Sequence, residues 1–415
     1  MRILWVKAGQ LLPVDTGGKI RSYNILRHLA RQHQVTLLTY YGGQRDPGYE
    51  AEIEREFPGA ETIYTAALDG HFMAQALGYL GSALQSTPFA VSKFTHPKVQ
   101  QRVAAWLDGQ KLDVAVCDFL SASRNFPEKL ATPTVLFQHN VESALWRRMA
   151  STESHPAKRL VYQIEAKKML GYERSALGRF DHVIAVSEHD RQQFLAMDPR
   201  CSTSVVPTGV DTHKYSPAPP SHADPPRIVF TGSMDWEPNI DAVGYFCAEI
   251  LPRIRAEFPT AVFQVVGRNP HPSVKQLASP FIEVTGTVPS VAKYLGEASV
   301  IVVPLRIGGG TRLKIFEAMA VGKAVVSTSI GAEGLDVQSG RDLILADDAT
   351  TFAEAVNLLL RDAASRRRYE EAAVRLATQY DWSNIERRFS SILSEVSSAR
   401  SQRAPSRESR APAQP

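Results

Sequence analysis

Short apolar runs alternate with segments of helical period along most of the chain, and this alternation limits the fold to the α/β class. The runs that indicate strands buried on both faces in the first half lie at residues 3–6, 35–39, 114–117, 134–137 and 183–186. Between the first two runs, residues 20–30 place apolar side chains at helical spacing. A succession of strand, helix and strand predicts parallel sheets covered by helices.

One proline-rich stretch divides the chain. Residues 216–226 contain five prolines in eleven residues, a density that excludes a helix or a central strand. The alternation then restarts, with predicted strands at residues 227–231, 261–266, 281–284, 300–303 and 324–328. A cleft at the hinge between the two halves is the expected place for a ligand.

These patterns predict five parts of the chain. They are an N-terminal α/β domain at 1–212, a proline-rich linker at 213–226, a C-terminal α/β domain at 227–380, a C-terminal helix at 381–397 that is a candidate to cross back to the N-terminal domain, and a disordered basic tail at 398–415.

The charge balance argues against nucleic acid as a partner. The 415 residues carry a formal net charge of +4, and residues 397–415 hold four arginines against one glutamate, so most of the basic charge belongs to the tail. Three widely spaced cysteines, at 117, 201 and 247, favour a reduced compartment. No apolar run approaches the roughly 20 residues that span a bilayer. We expect a cytoplasmic protein, and peripheral contact at the inner face of the membrane stays open.

Two predicted helix starts combine glycines with cations. The cations that follow glycines are Lys19 and Arg21 in the first half, and Arg312 and Lys314 in the second. First-turn cations are unfavourable at the positive end of a helix unless an anion lies there. Glycines let backbone N–H groups approach a phosphate, which Arg and Lys then neutralise. The glycines at 308–310 are costly to order without such a reason, so the second cluster predicts a phosphate site. For the first cluster, solvated side chains explain the pattern equally well.

Two further side chains are candidates. Glu317 lies three residues after Lys314, near the same helix face, and is placed to accept hydrogen bonds from ribose hydroxyls; a simple pair with Lys314 is the alternative. His139 follows a buried strand, in the sequence Gln-His-Asn-Val-Glu, and the carboxyl ends of such strands hold ligands in α/β proteins. A packed or surface histidine is the alternative there.

Patterns for other chemistries do not accompany these residues. The sequence has no Asp-x-Asp after a strand in the expected place, no His-x-x-x-His, no paired cysteines and no Gly-x-Ser-x-Gly. We therefore expect no metal and no other cofactor.

The linear order of these features resembles the retaining glycosyltransferases of family 4, which have the α/β GT-B fold: two Rossmann-like domains with parallel sheets facing a cleft. Residues 13–18, Pro-Val-Asp-Thr-Gly-Gly, are similar to the glycine loop of the N-terminal acceptor domain, and residues 138–142 to its histidine-containing loop. Residues 206–211 resemble the stretch before the C-terminal nucleotide-sugar domain, and residues 230–233 resemble that domain's first strand and glycine turn. Residues 310–320 are the most specific match, to the donor-binding helix.

The resemblance implies a nucleotide-diphosphate sugar as donor and a glycan or lipid-linked acceptor, with retention of anomeric configuration, in bacterial polysaccharide or glycoconjugate synthesis. It implies that Arg312 and Lys314 hold the diphosphate without a metal, that Glu317 orients the ribose, and that His139 contacts the donor sugar. The residues that it assigns to donor binding are Gly17, Gly18, Gly232, Ser233, Gly310, Thr311 and Leu313.

The chain departs from the family pattern at three places. Gly309 stands where the family has the first of two glutamates, and Thr208 stands where asparagine is usual. Asp235 and Trp236 follow the glycine turn where many members have a basic phosphate ligand. Arg312 and Lys314 are therefore expected to carry that task.

Other functions and partners stay open. A GT-B sugar-nucleotide epimerase is one alternative, and a non-catalytic nucleotide-sugar binding protein, which Gly309 keeps open, is another. A phosphorylase would need a pyridoxal-phosphate lysine, for which the sequence offers no context. Basic and partly apolar residues at 145–149 and 158–168 fit contact with an anionic membrane or an ordinary solvated helix face.

Overall fold

The structure is a computed structural model that describes residues 1–65, 86–109, 111–129, 132–153, 155–218, 224–307 and 313–403. These residues form two compact units. The first comprises Met1–Pro207 together with the described residues from Glu386 onward, and the second comprises Thr208–Ile385. Each unit has a parallel sheet covered by helices, as the alternation of apolar and helical segments predicts.

The sheet of the first unit contains seven of the described strands, in the order β3-β2-β1-β4-β5-β6-β7. Neighbouring strands are parallel throughout. The strands are β1 Arg2–Ala8, β2 Gln34–Tyr41, β3 Glu61–Tyr64, β4 Val114–Asp118, β5 Thr134–Phe137, β6 His182–Ala185 and β7 Thr203–Val205. The helices beside them are α1 Gly17–Leu29, α2 Pro47–Glu56, α3 Phe89–Ser92, α4 Pro97–Gly109, α5 Glu142–Thr152, α6 Pro156–Arg179 and α7 Glu188–Met197, with a 3₁₀ turn at Leu120–Asn125.

The sheet of the second unit repeats this topology with six of the described strands, in the order β10-β9-β8-β11-β12-β13. The strands are β8 Arg227–Thr231, β9 Val262–Val266, β10 Ile282–Gly286, β11 Val300–Val303, β12 Val325–Ser327 and β13 Ile344–Leu345. The helices are α8 Glu237–Tyr245, continued by a π-helical turn at Phe246–Ile250 into α9 Leu251–Glu257, then α10 Pro272–Lys275, α11 Val291–Glu297, α12 Leu313–Ala320, α13 Ala349–Arg361 and α14 Ala363–Gln379.

The strand order fixes where a ligand is expected in each sheet. In the first, the chain runs outward from β1 through β2 to β3, then returns to β4 on the other side of β1. The second sheet has the same reversal between β8 and β11. Ligands of open α/β sheets bind at the carboxyl ends of the strands where the order reverses. The carboxyl ends of β1 with β4, and of β8 with β11, are therefore the places to search.

The last helix, α15 Trp382–Arg403, is longer than we predicted. The prediction of a disordered tail from residue 398 is wrong for residues 398–403, because the helix continues there and the guanidinium of Arg400 pairs with the carboxylate of Asp181 at 2.5 Å. From Glu386 the helix packs in the first unit, where Phe389 is fully buried. The prediction for residues 404–415 concerns residues outside those described.

The predicted linker at 213–226 is also shorter than expected. The first unit ends at Pro207 rather than residue 212, and the chain packs on the second unit soon afterwards. Tyr215 is buried, and the N–H of Ala218 donates to the C=O of Val321 at 2.9 Å. Residues 219–223 lie outside the described part of the chain.

Helices long and apolar enough to cross a membrane are absent from the part of the chain that the structure describes.

Candidate functional site

Lys7 and Asp118 face each other across β1 and β4, at the point where the strand order of the first sheet reverses. They are register partners, and Lys7 Nζ lies 3.3 Å from Oδ2 of Asp118. Trp5 Nε1 donates to the same oxygen at 3.0 Å. All three side chains are buried. Burial alone would raise the pKa of Asp118, but Lys7 and His139 outweigh it and hold that pKa below its usual range. The carboxylate thus stays charged and neutralises a buried lysine.

His139, which follows β5, joins this pair as a neutral ring. Its Nε2 lies 2.8 Å from Oδ1 of Asp118, and its Nδ1 lies 3.0 Å from Nη1 of Arg21. A guanidinium can only donate, so Nδ1 must accept and the ring proton sits on Nε2. Burial lowers the pKa of His139 to about 3, although Asp118 acts in the opposite direction. Both ring nitrogens are therefore bonded within the first unit.

The two cations at the start of α1 are engaged in the same unit. Arg21 is buried, and burial lowers its pKa to about 10 against the opposing charges of Asp190 and Asp118. Lys19 lies 3.1 Å from Oδ1 of Asp15 and donates to the C=O of Pro13 at 3.2 Å. We had considered Arg21 either a solvated side chain or a phosphate ligand. In the structure it is buried and donates a hydrogen bond to His139 instead.

The glycines that precede these cations begin α1 as expected. Gly17 is its first residue, and Gly18 follows against the ring of Phe119. A Cβ atom on Gly18 would lie 2.5 Å from Cζ of Phe119, so packing alone requires glycine there. Phe119 stacks on His139 with ring centroids 3.7 Å apart. The donor-binding role of both glycines stays a prediction.

A pair of carboxyl groups lies at the start of α5, three residues along the chain from His139. Glu173 on α6 accepts hydrogen bonds from the backbone N–H groups of Glu142 and Ser143, at 2.9 and 3.1 Å, where α5 begins. Burial and the nearby Glu173 raise the pKa of Glu142 to about 7. No spacing in the sequence connects Glu173 to this loop, and sequence reasoning missed it.

In the second unit, Asn239 brings Lys314 to the glycine turn after β8. Lys314 Nζ donates to Oδ1 of Asn239 at 2.8 Å, and Nδ2 of Asn239 donates to the C=O of Ser233 at 2.8 Å. A Cβ atom on Gly232 would lie 2.7 Å from Nδ2 of Asn239, so a side chain there would displace the amide. Lys314 Nζ also lies 4.2 Å from the centre of the Phe230 ring. The structure therefore joins Gly232, Ser233 and Lys314, which sequence reasoning had assigned separately.

A further cation stands at this turn. Arg268, just after β9, donates through Nε to the Ser233 hydroxyl at 2.9 Å. The same hydroxyl lies 2.7 Å from Oδ1 of Asp235. The two loops meet backbone to backbone, because a Cβ atom on Gly267 would lie 1.6 Å from the carbonyl oxygen of Gly232. Sequence reasoning missed Arg268, although a Gly-Arg pair directly after an apolar strand was visible.

Glu317 lies on α12, the helix that begins at Leu313 and carries Lys314. The hydroxyl of Tyr215 hydrogen-bonds the Glu317 carboxyl, and burial raises the pKa of Glu317 against the opposing effect of that bond and of nearby lysines. Tyr215 comes from the segment that we predicted to be linker, so sequence reasoning did not connect the two. The predictions for Gly309, Gly310, Thr311 and Arg312 concern residues outside those that the structure describes.

Groups of three or more His, Cys, Asp or Glu side chains placed to hold a metal ion are not found within the described residues. The charged groups near the glycine turn of the second unit are Lys314, Arg268 and Asp235. This part of the unit therefore brings two cations, Lys314 and Arg268, to the turn where an anionic ligand is expected.

Two family models match the chain. The model described as Glycosyltransferase Family 4 matches residues 16–214, and the model described as Glycosyl transferases group 1 matches residues 225–362. Each match covers most of one structural unit. The lysine and the glycine turn of the second unit fall within the second match.

Similar proteins include one without a known activity and one with a named reaction. An uncharacterized 44.6 kDa protein in the cps region of Klebsiella pneumoniae is 22% identical over 375 residues, which are 86% of this chain and 90% of that protein. Phosphatidyl-myo-inositol mannosyltransferase from Mycobacterium leprae is 26% identical over 208 residues, 48% of this chain and 54% of that protein.

Solved structures with the same fold cover nearly the whole chain. HepE from Anabaena, in complex with UDP, has a TM-score of 0.66 at 15% identity, covering 95% of this chain and 100% of that one. Sucrose-phosphate synthase from Thermosynechococcus elongatus has a TM-score of 0.71 at 16% identity, covering 96% of this chain and 100% of that one. At these identities the likeness concerns the fold, which is GT-B.

Proposed function

The chain belongs to the group 1 glycosyltransferases, with a family 4 domain in its N-terminal half, and we propose that it moves a sugar from a nucleotide-diphosphate donor to a glycan or lipid-linked acceptor with retention of configuration. The observation that carries the donor assignment is the contact of Lys314, through Asn239, with the Gly232–Ser233 turn. That turn follows β8, at the strand-order reversal where such sheets bind ligands.

Relatives support a nucleotide-sugar donor and a role in polysaccharide or glycoconjugate synthesis. HepE has been solved with UDP and with UDP-glucose, and the M. leprae protein is named a mannosyltransferase. The K. pneumoniae relative is encoded in a cps region. These properties belong to the relatives, and we propose the same class of donor for this chain.

In the proposed reaction, the bond between the anomeric carbon and the diphosphate oxygen breaks, and its electron pair stays on the diphosphate. The oxygen of an acceptor hydroxyl forms the new bond to the anomeric carbon on the same face, which retains the configuration, and the hydroxyl proton passes to the departing diphosphate. Lys314 and Arg312 stabilise the negative charge that grows there. Because the charges of Lys314 and Arg312 would serve this purpose, we propose that the reaction needs no metal. Glu317, held by Tyr215, accepts hydrogen bonds from the ribose hydroxyls. His139, whose two ring nitrogens are engaged by Asp118 and Arg21, stays a neutral ring, so we propose that it adds no positive charge near a developing oxocarbenium ion.

Nucleotide binding tests the donor assignment first. We would measure thermal stabilisation by UDP, GDP, ADP, CMP and TDP, with and without EDTA. A ligand at 100 times its Kd adds about 2.7 kcal/mol to the free energy of unfolding. We expect stabilisation by one nucleoside diphosphate that persists in EDTA. Stabilisation by none of them would contradict the donor site, and loss of the effect in EDTA would contradict metal independence.

Turnover separates an enzyme from a binding protein. Mass spectrometry of the protein with sugar nucleotides built on the base that binds should show slow hydrolysis of one donor, and transfer when an acceptor is added. Binding without any release of sugar would favour the non-catalytic alternative that Gly309 suggests.

We also propose peripheral contact with an anionic membrane at the cytoplasmic face. On α5 and α6, exposed cations lie next to exposed apolar side chains, and Leu160 is 58% exposed. The exposed basic and apolar residues of these two helices include Arg147, Arg148, Met149, Lys158, Arg159, Leu160 and Ile164. Mixed basic and apolar surfaces bind anionic lipid headgroups.

Vesicle flotation tests this contact. We expect salt-sensitive binding to vesicles containing phosphatidylglycerol, and none to phosphatidylcholine vesicles. Leu160→Glu should abolish it, whereas Leu358→Glu, at a similarly exposed leucine on α13, should leave it unchanged. Equal binding of both variants, or no binding by the wild type, would reject the membrane contact.

A further inference from the structure

Phe119 has a backbone conformation that L-residues rarely adopt. It directly follows β4, at the reversal of strand order in the first sheet, with φ 74° and ψ 148°. This region of backbone space is essentially reserved for glycine, and a bulky residue there is strained. Two hydrogen bonds hold the conformation: the N–H of Phe119 donates to Phe137 at 3.0 Å, and its C=O accepts from the N–H of Ala122 at 3.1 Å.

This backbone conformation places the Phe119 phenyl ring against His139, Lys7 and Gly18. The ring stacks on His139, with centroids 3.7 Å apart and planes 14° apart. Lys7 Nζ lies 4.6 Å from the ring centre. At the edge of the ring, a Cβ atom added to Gly18 would lie 2.5 Å from Cζ of Phe119. The ring thus fills the gap between the start of α1 and the imidazole.

We propose that Phe119 is a positioning residue of the transferase reaction, whose strained backbone holds its ring between Gly18 and His139. The ring sets the plane of the imidazole that Arg21 and Asp118 hold by its nitrogens, and it sets how closely the glycine start of α1 approaches. This role rests on the proposed function, because the two elements that Phe119 separates are the ones assigned to the donor.

The strain makes a prediction about stability. Phe119→Ala keeps the strained conformation and loses the ring, whereas Phe119→Gly loses the ring and relieves the strain. Glycine is normally the less stable of the two residues. We expect the reverse order here, with a higher unfolding temperature for Phe119→Gly than for Phe119→Ala. A higher unfolding temperature for the alanine variant would show that the conformation is not enforced and would overturn the proposal.

The positioning role is measured separately from stability. In the wild type, long-range ¹H–¹⁵N spectra of histidine-labelled protein should show His139 as one tautomer with its proton on Nε2, assigned by comparison with His139→Gln. In both Phe119 variants we expect the Nε2 proton of His139 to exchange with water faster, because the ring is no longer held in the plane that its hydrogen bond to Asp118 needs, and a kcat at least tenfold lower. The matched control is Phe180→Ala, which removes a buried ring between α6 and β6 and should alter stability alone.

These measurements distinguish failure of the proposal from failure of the proposed function. Unchanged His139 spectra in Phe119→Gly would overturn the positioning role whatever the activity. Absence of turnover in the wild type with every sugar nucleotide would instead reject the transferase assignment for this donor class, and the spectra would still decide the placement of the ring.

A double-mutant comparison tests whether a change at Gly18 affects the reaction by displacing the Phe119 ring. Gly18→Ala should lower kcat strongly in the wild type, because the new methyl group displaces the Phe119 ring, and should cost little more in the Phe119→Ala background. An equal loss in both backgrounds would show that Gly18 and His139 do not communicate through Phe119.

Discussion

Nη1 of Arg21 lies 3.0 Å from Nδ1 of His139, so a charged guanidinium and a neutral imidazole share one buried hydrogen bond. The contact joins the start of α1 to the loop after β5. Because Asp118 accepts from the other ring nitrogen at 2.8 Å, the protonation state of His139 is fixed from both sides.

The neutral imidazole predicts a pH dependence of stability. The pKa of His139 is about 3 in the folded protein and about 6.5 in an unfolded chain, so below pH 6.5 the unfolded state binds a proton that the folded state does not. Stability is therefore present in full above pH 6.5 and is lost as the pH falls towards 3. Between pH 7 and 5 the loss from this residue is about 2 kcal/mol.

Urea unfolding of the wild type and His139→Gln at both pH values isolates that loss. The variant should be less sensitive to pH by the same amount, since the other titrating groups are common to both proteins. Identical pH dependence in the two proteins would mean that His139 has the same pKa in the folded and unfolded states and would contradict the lowered pKa.

The buried ion pair of Lys7 and Asp118 predicts a large single-mutant effect. Asp118→Asn leaves a buried lysine without its counter-charge, which costs about 3–5 kcal/mol of unfolding free energy. The double variant with Lys7→Met should recover part of that loss. As a control, Glu257→Gln breaks the exposed pair with Arg361 and should cost at most about 1 kcal/mol. A similar cost for the two single variants would contradict the importance of burial.

Sequence reasoning located the central strands because parallel strands covered on both faces are continuous apolar runs. It missed β3, β7 and β13, which lie at sheet edges and are only partly buried. An edge strand has less apolar surface to cover, so its sequence does not need to be an apolar run. The extra turns of α15 were missed because their anchor, Asp181, is distant in sequence.

The candidate site was predictable only in part. The positions of His139 and Lys314 follow from local patterns, a polar cluster after a strand and a cation at a helix start. Their partners do not, because Asp118 and Asn239 become neighbours only once the order of the strands is known. For the same reason the sequence did not show that Arg21 is buried.

We predict that a side chain at position 232 weakens nucleotide binding. A methyl group there would lie 2.7 Å from Nδ2 of Asn239 and displace the amide that holds Lys314. We expect Gly232→Ala to weaken binding of the nucleoside diphosphate about tenfold, near the worth of one charge-assisted hydrogen bond. Calorimetric titration measures this. Gly244→Ala is the control, because open space surrounds that helical glycine, and it should bind normally with equal or higher stability.

We predict that Glu317 makes the protein bind a ribonucleoside diphosphate more tightly than its deoxy analogue. If its carboxylate accepts from a ribose hydroxyl, Glu317→Gln should weaken binding of the ribonucleoside diphosphate about tenfold but barely affect a deoxy analogue lacking the contacted hydroxyl. Tyr215→Phe, which removes only the supporting hydroxyl, should have a smaller effect in the same direction. Equal losses for the ribonucleotide and for both its 2′- and 3′-deoxy analogues would place the role of Glu317 elsewhere.

Among the substitutions proposed in the second unit, we expect Arg312→Ala to cause the largest loss of activity. Arg312 lies two residues before Lys314, just ahead of α12, where a cation is unfavourable unless it meets an anion. We expect Arg312→Ala to lower kcat about a hundredfold to a thousandfold, on the order of 3–4 kcal/mol, because the diphosphate gains charge as the sugar leaves. Arg312→Lys should recover part of the rate, since it restores the charge without the planar fork that binds phosphate through two bonds. Arg361→Ala, at an exposed ion pair on α13, controls for loss of a surface cation. Wild-type turnover in Arg312→Ala would reject the assignment of this cluster to the departing diphosphate.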